Sequence, residues 1–165
     1  MQKIVIKNVK TAKYQDVNQS ERHNTQTKTQ KSFEFKNAMV SSPNATGGKL
    51  NIRFFMLMPG KTNYPYHYHT GAEEAFYIIS GTATLKTPDG DRIVTEGDVI
   101  VFPANENGAH QLTNTSDDAL VYLDISTAAS PDVVFFPDKG DFRIITSAVS
   151  KSFSLDTEVN YLRNE

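Results

Sequence analysis

Apolar and polar residues alternate with a period of two along much of the chain from Leu50 onward, the period of a β-strand. Leu50, Ile52, Phe54, Met56 and Met58 fall on one face of a segment that stops at Pro59-Gly60. Residues 75–79 form an unbroken apolar run that ends before Gly81, as expected of a strand buried on both faces. Residues 82–87 and 92–95 flank Pro88-Asp89-Gly90-Asp91, the strongest hairpin signal in the chain. Residues 99–102 follow Gly97-Asp98 and are stopped by Pro103, and residues 120–125 add another strand. Short strands at intervals of roughly ten residues predict an all-β sandwich or barrel.

The first third has a different texture. Residues 1–7 read as a short strand with alternating lysines, and no apolar stretch of a secretory leader follows them. Residues 14–31 are crowded with Gln, Asn, Thr and Ser, with little apolar area to offset ordering entropy. Ser32-Phe33-Glu34-Phe35-Lys36 alternates and predicts a strand, whereas Ser41-Ser42-Pro43-Asn44 and Gly47-Gly48 punctuate turns. A weak helical period covers residues 155–162. The expected organisation is an N-terminal polar arm over residues 1–48 with one or two short strands, a barrel over 49–145, and a C-terminal extension over 146–165.

Length and composition narrow the classes. One domain accounts for 165 residues. Seventeen Lys and Arg against nineteen Asp and Glu give a net charge of -2, which supplies no basic field for nucleic acid. Absence of cysteine excludes disulfides, iron–sulfur clusters, a cysteine nucleophile and thiolate zinc sites. No apolar run approaches the roughly 18 residues of a membrane span, so the expected location is cytoplasmic, with no membrane partner.

Candidate chemistry centres on histidine. His67 and His69 share a face if the segment is extended, with Cα atoms about 6.6 Å apart, and both imidazoles can then reach one cation at about 2.1 Å. Glu73 or Glu74 follows at the start of the next strand, and His110 follows the turn after Pro103. Three imidazoles and a carboxylate without a thiolate suit one divalent transition metal: Mn, Fe, Ni, Zn or Cu. Tyr64, Tyr66 and Tyr68 interleave with the histidines and equally fit an aromatic surface stripe. His23, between Arg22 and Asn24 in the polar arm, reads as a surface residue.

The spacing of these residues carries a resemblance. Gly60, six residues, His67-Tyr68-His69, four residues, Glu74, six residues and Gly81 resembles the first motif of the cupin superfamily, with one residue more than usual in the first gap. Gly97, five residues, Pro103, Gly108, His110, three residues and Asn114 resembles the second motif. Fifteen residues, 82–96, separate the two and hold the hairpin. The turn before His110 is two residues longer than usual and is similar to that of a subgroup of small, mostly uncharacterised bacterial cupins. Phe135-Phe136-Pro137-Asp138 matches a later element of that subgroup. The resemblance covers residues 50–142, with a weaker echo in 159–165, and leaves out 1–48.

The resemblance implies a single cupin barrel (a double-stranded β-helix, similar to a jelly roll) whose metal ligands are His67, His69, Glu74 and His110. Glu74 is preferred to Glu73 because it keeps the gap to Gly81 and shares strand parity with Phe76 and Ile78. Glu73 then points outward as a solvated charge, and Glu106 in the long turn is solvated or covers the mouth. Gly60, Gly81 and Gly97 are turn residues, and Asn114 satisfies loop backbone groups. Phe54, Met56, Phe76, Ile78 and Tyr122 are expected to wall the interior. The parity of strand 50–58 stays open; the other parity puts Arg53 and Phe55 inside, where Arg53 can pair with an anionic substrate. The function implied is a metal-dependent enzyme acting on a small polar metabolite such as a sugar or carboxylate, of isomerase, epimerase or oxygenase type. A non-catalytic small-molecule-binding or sensory module is the alternative, and a barrel merely stiffened by its metal is a third. Among non-ligands, only the Tyr64–Tyr68 cluster and Glu106 are local candidates for acid–base work. Small cupins often pair, and Tyr77 and Ile79 face away from the proposed metal, so a homodimer is expected.

Overall fold

A computed structural model describes residues 4–18, 34–43 and 47–157. Among the described residues thirteen strands follow in chain order: β1 (Gln15–Asn18), β2 (Glu34–Ser41), β3 (Leu50–Leu57), β4 (Tyr68–His69), β5 (Glu74–Ser80), β6 (Thr82–Thr87), β7 (Gly90–Thr95), β8 (Val99–Phe102), β9 (Gln111–Thr113), β10 (Leu120–Thr127), β11 (Asp132–Phe136), β12 (Asp141–Ile145) and β13 (Ser150–Ser154). They form a six-stranded sheet in the order β1-β2-β3-β10-β5-β8, a three-stranded sheet β7-β6-β9 and a four-stranded sheet β13-β12-β11-β4. Every pairing is antiparallel. The all-β barrel read from the strand spacing is therefore the fold observed.

The core lies between the six-stranded and three-stranded sheets. Phe35, Phe55, Leu57, Phe76, Ile78 and Tyr122 from the first meet Ala83, Leu85, Val94 and Leu112 from the second. Removing a side chain of the size of Phe or Leu from water contributes about 1.5–3 kcal/mol. The rings interlock: Phe55 stacks on Tyr122 at 5.1 Å, and Phe76 meets Phe102 edge-on at 4.9 Å.

Strand β3 resolves its open parity. Phe55 and Leu57 are fully buried in the core, with Arg53 on the same inward row, so Phe54 and Met56 do not wall the interior. Phe54 is nevertheless buried, on the outer face between its register partners Ala38 and Leu123. Both faces of β3 are covered, which is why both parities are apolar.

The turns follow the residue chemistry. The hairpin β6–β7 closes through Pro88-Asp89, with Thr87 paired to Gly90. Gly81, between β5 and β6, has φ +92, and a Cβ there would sit 3.0 Å from both the Ala119 carbonyl oxygen and the Leu120 Cα. That combination of left-handed backbone and close approach admits only glycine.

Two expectations at the ends are corrected. Residues 4–8 form no strand: Ile4 and Ile6 are exposed, so the alternation there has no sheet to join. At the other end a single 3-10 turn, Leu155–Thr157, replaces the first residues of the weak helix. The remainder of that helix, most of the polar tract from residue 19 to 33, and His23 lie outside the described residues. No helix among the described residues is long and apolar enough to cross a membrane.

Candidate metal centre

The four candidate residues come from three backbone segments, at 67–69, 74 and 110, and local pairing places each. His67 and His110 face each other in an isolated antiparallel bridge, with His67 N–H donating to His110 O at 3.1 Å and His110 N–H to His67 O at 2.9 Å. That exchange sets their rings 4.7 Å apart. His69 ends β4 and pairs with Val134 of β11. Glu74 opens β5, between Phe102 of β8 and Ser126 of β10. It shares the inward row with Phe76 and Ile78, whereas Glu73 is exposed.

One ligand atom each from His67, His69 and Glu74 lie within 4.8 Å of one another. His110 joins through Glu74, its Nε2 standing 3.2 Å from Glu74 Oε2. The His110 ring is clamped by Phe102, stacked at 3.7 Å, and by Phe76, edge-on at 5.3 Å.

Each histidine uses its other ring nitrogen as an anchor. His67 Nδ1 lies 2.8 Å from Pro65 O, and His110 Nδ1 lies 2.9 Å from Gly108 O. A carbonyl only accepts, so both Nδ1 atoms donate, which turns the Nε2 side of each ring toward the cluster. His69 Nδ1 donates to Asp132 Oδ2 at 2.5 Å, and Asp132 Oδ1 accepts from Gly71 N–H at 2.9 Å. This is the pattern by which outer groups fix tautomer and ring direction around a metal.

The donor set fits a divalent transition metal. Among the described residues, Glu74 Oε2 and His110 Nε2 are buried without a hydrogen-bond partner, although they lie in contact with each other. Buried polar atoms left this way cost free energy unless something else satisfies them. A cation shared by the carboxylate and the imidazoles does so.

Electrostatics at the site follow from burial and crowding. Burial, followed by the neighbouring His110 charge, pushes the His67 imidazole down to about 3, so it is neutral at ordinary pH. Burial works to raise Glu74, but it is outweighed by the His110 ring and by the charges of His67 and His69, which bring Glu74 to about 2. For His69, burial is overcome by the Asp132 hydrogen bond, and its pKa is raised. Asp124, on the inward row of β10, is raised well above the usual carboxylate range, first by burial and then by the charge of Glu74.

The sequence-based candidates for acid–base work separate. Tyr64 lies 6.0 Å from His67 and packs on Phe35. Tyr66 instead sits under the Lys86 ammonium, Tyr68 stacks on Phe135, and Glu106 is exposed in a 3-10 turn. Asn114 is buried and bridges Leu57 O, Asp118 O and Ser116, as expected of a loop-satisfying residue. Asp124 and Asp132 were not singled out by sequence reasoning. An isolated Asp in an otherwise apolar strand, as at Asp124, was the available signal; Asp132 offered none.

Asp132 carries a direct prediction. Asp132→Ala is expected to weaken metal affinity by about 10–100-fold, the usual effect of losing such an outer partner. Asp132→Asn, which keeps an acceptor oxygen, should recover part of it. Chelator-competition titration reads the effect, and unchanged affinity in Asp132→Ala would show that His69 needs no such anchor.

An antiparallel β-barrel with three histidines and one glutamate gathered in its interior defines the class. Residues 53–126 match the Cupin domain family. Solved structures agree: a candidate sugar phosphate isomerase from Acidithiobacillus ferrooxidans is 27% identical at a TM-score of 0.67, covering 78% of this chain and 82% of that one. A sugar phosphate isomerase of the cupin superfamily from Silicibacter pomeroyi is 20% identical at 0.68, covering 78% and 81%. A predicted oxalate decarboxylase from Thermotoga maritima is 20% identical at 0.60, covering 77% and 100%. No functionally curated protein matches the chain in sequence. The family match and the fold together identify residues 53–126 as a cupin domain.

Proposed function

We propose that the chain is a metal-dependent isomerase of a small phosphorylated sugar, holding one divalent ion on His67, His69, Glu74 and His110. The observation that carries the reading is the anchoring of all three Nδ1 atoms around a buried, unpartnered carboxylate oxygen and imidazole nitrogen. An ion held there supplies Lewis acidity to a carbonyl and its neighbouring hydroxyl.

The chain's own groups supply the rest. Phe76, Phe102 and Tyr122 exclude water from the inner end. Aldose–ketose interconversion moves a proton between adjacent carbons, which needs a group able to hold and return it. Asp124, whose carboxyl is raised by burial and by Glu74, and Tyr64, with its ring 6.0 Å from that of His67, are the candidate protic groups at the cluster. The 27% identity with the candidate sugar phosphate isomerase favours a phosphorylated sugar over a small dicarboxylate. A homodimer and a cytoplasmic location belong to the same proposal; exposed Tyr77, Val99 and Val101 on the outer sheet face offer apolar surface to a second copy.

The test is interconversion of aldose and ketose phosphates by protein purified with Mn, Fe, Ni, Zn or Cu. Turnover should vanish on chelation and return when metal is restored. Protein carrying one ion per chain but inert toward three- to six-carbon sugar phosphates would overturn the reading.

A further inference from the structure

A polar wall lines the interior beside the metal cluster. The inward rows of the six-stranded sheet start apolar, where Leu57 faces Leu120 and Phe55 faces Tyr122. Two rows nearer the cluster turn polar: Arg53 of β3 stands opposite Asp124 of β10, and Asn51 opposite Ser126. On the other side of β10, Ser126 stands opposite Glu74 of β5 and Asp124 opposite Phe76. Residues directly opposite in antiparallel pairs share a face, with Cβ atoms about 4.5–5.5 Å apart. Asn51, Arg53, Asp124 and Ser126 are therefore one surface, continuous with Glu74.

Little of that surface's hydrogen-bonding capacity is spent within the protein. Asp124 is 6% exposed, its carboxyl meets that of Glu74, and its Oδ1 is buried without a hydrogen-bond partner. The Arg53 charge works to lower the Asp124 carboxyl from across the strands, yet no ion pair closes between them. Asn51, Arg53 and Ser126 are half-buried, and their side chains make no hydrogen bond to another described residue. Arg53, held by no such bond, can turn to admit a ligand atom to the Asp124 oxygen. A buried acceptor left open costs free energy until a donor reaches it. A guanidinium only donates and the open Asp124 oxygen accepts, whereas a hydroxyl does both. Donor and acceptor side by side thus match hydroxyls, and an acidic ligand in the same place would bring its charge against the Glu74 carboxylate.

We propose that Asn51, Arg53 and Asp124 form a hydroxyl-reading wall beside the metal cluster, donating to and accepting from two neighbouring hydroxyls of the substrate. These are the hydroxyls next along the chain from the carbonyl and its neighbour, the third and fourth carbons of a sugar whose reactive end lies at the ligands. The wall rests on the isomerase reading and adds to it the residues that select the substrate. Pockets of this kind fix orientation with a few placed polar groups among apolar ones, here Phe55, Phe76 and Tyr122. A polyhydroxylated chain satisfies the wall, and a two-carbon acid does not reach it.

The experiment is calorimetric titration of the full-length metal-loaded protein with a hexitol phosphate, which has no carbonyl to isomerise, and with its 3,4-dideoxy form. Wild-type protein should bind the first roughly ten-fold or more tightly than the second, since a site built to hydrogen-bond hydroxyls rejects the analogue that lacks them. Arg53→Gln should bring that preference to within about three-fold, because the hydroxyls then lose their charged donor. Metal content and affinity for the dideoxy form should not move. If Arg53→Gln lowers the melting temperature, Asn51→Ala decides, since its side chain lies outside the apolar cluster between the sheets; a several-fold loss of preference supports the wall. A preference intact in the deciding variant, a preference absent from wild type, or an equal loss for both ligands overturns it. A preference that the variant abolishes, in protein that turns over no sugar phosphate, would sink the isomerase reading and leave the wall standing. Turnover with the preference intact in the variant would do the reverse.

Discussion

His67→Ala combined with His69→Ala is expected to reduce bound transition metal from near one ion per chain to none detectable by elemental analysis. The pair makes up two of the four proposed donors, and their loss leaves Glu74 and His110 to hold an ion alone. Burial keeps His67 neutral at ordinary pH, so its lone pair needs no deprotonation before binding. The barrel itself should survive, because neither ring belongs to the apolar cluster between the sheets. Melting of the metal-free variant should therefore fall within a few degrees of metal-free wild type. The wild type should gain stability on metal addition by RT ln(1 + [L]/Kd), about 2.7 kcal/mol at a hundred-fold excess over Kd, and the variant should gain nothing. A double variant that still carries stoichiometric ion would place the metal elsewhere or nowhere, and the site assignment would fall.

Strand positions and the gathering of the histidines were legible for different reasons. His67 and His69 two residues apart, and Glu74 in phase with Phe76 and Ile78, are local facts of a two-residue period, and the structure keeps that phase. The hairpin around Pro88-Asp89 is likewise local. Arg53 was legible only as one of two options, because alternation distinguishes faces when one is wet. On β3 the outer face is covered as well, so Phe54 and Phe55 carry the same signal. Strand β2 was read from Phe33 and Phe35, but its pairing with β3, which extends the main sheet into the arm, depends on contacts the period does not encode.

Asp132 shows the limit more sharply. It stands 63 residues from the histidine it anchors, and joins it only because β11 pairs with β4. No window of sequence contains both residues. Asp124 is similar: it is an isolated acid in an apolar strand, and its neighbour Glu74 arrives through the β5–β10 pairing. The groups proposed to bind metal directly sit in short motifs, whereas those that orient or adjust them come from wherever the sheets bring them.

Gly108→Ala should lower stability by about 1–3 kcal/mol, the range for forcing an atom into a packed site, and metal affinity should fall at least ten-fold with it. A Cβ at Gly108 would land on the Pro103 carbonyl oxygen, with the Pro103 C and N both at 3.1 Å. That carbonyl already accepts from Asn105 N–H at 2.9 Å, and Gly108 N–H donates to Asn105 O at 2.9 Å, so the turn has no slack to move aside. The clash reaches the metal centre because Gly108 O is the anchor of His110 Nδ1. Moving that carbonyl lets the imidazole turn, and Nε2 leaves its position 3.2 Å from Glu74. Gly60→Ala is the control: its φ of +73 imposes backbone strain, yet nothing lies within 4 Å of the added methyl. It should cost about 1–2 kcal/mol and leave metal affinity untouched. Urea denaturation of metal-free protein and chelator competition on the loaded protein separate the two effects. Equal metal affinity in the Gly108 and Gly60 variants would mean that the long turn before His110 only closes the barrel and does not aim its ligand.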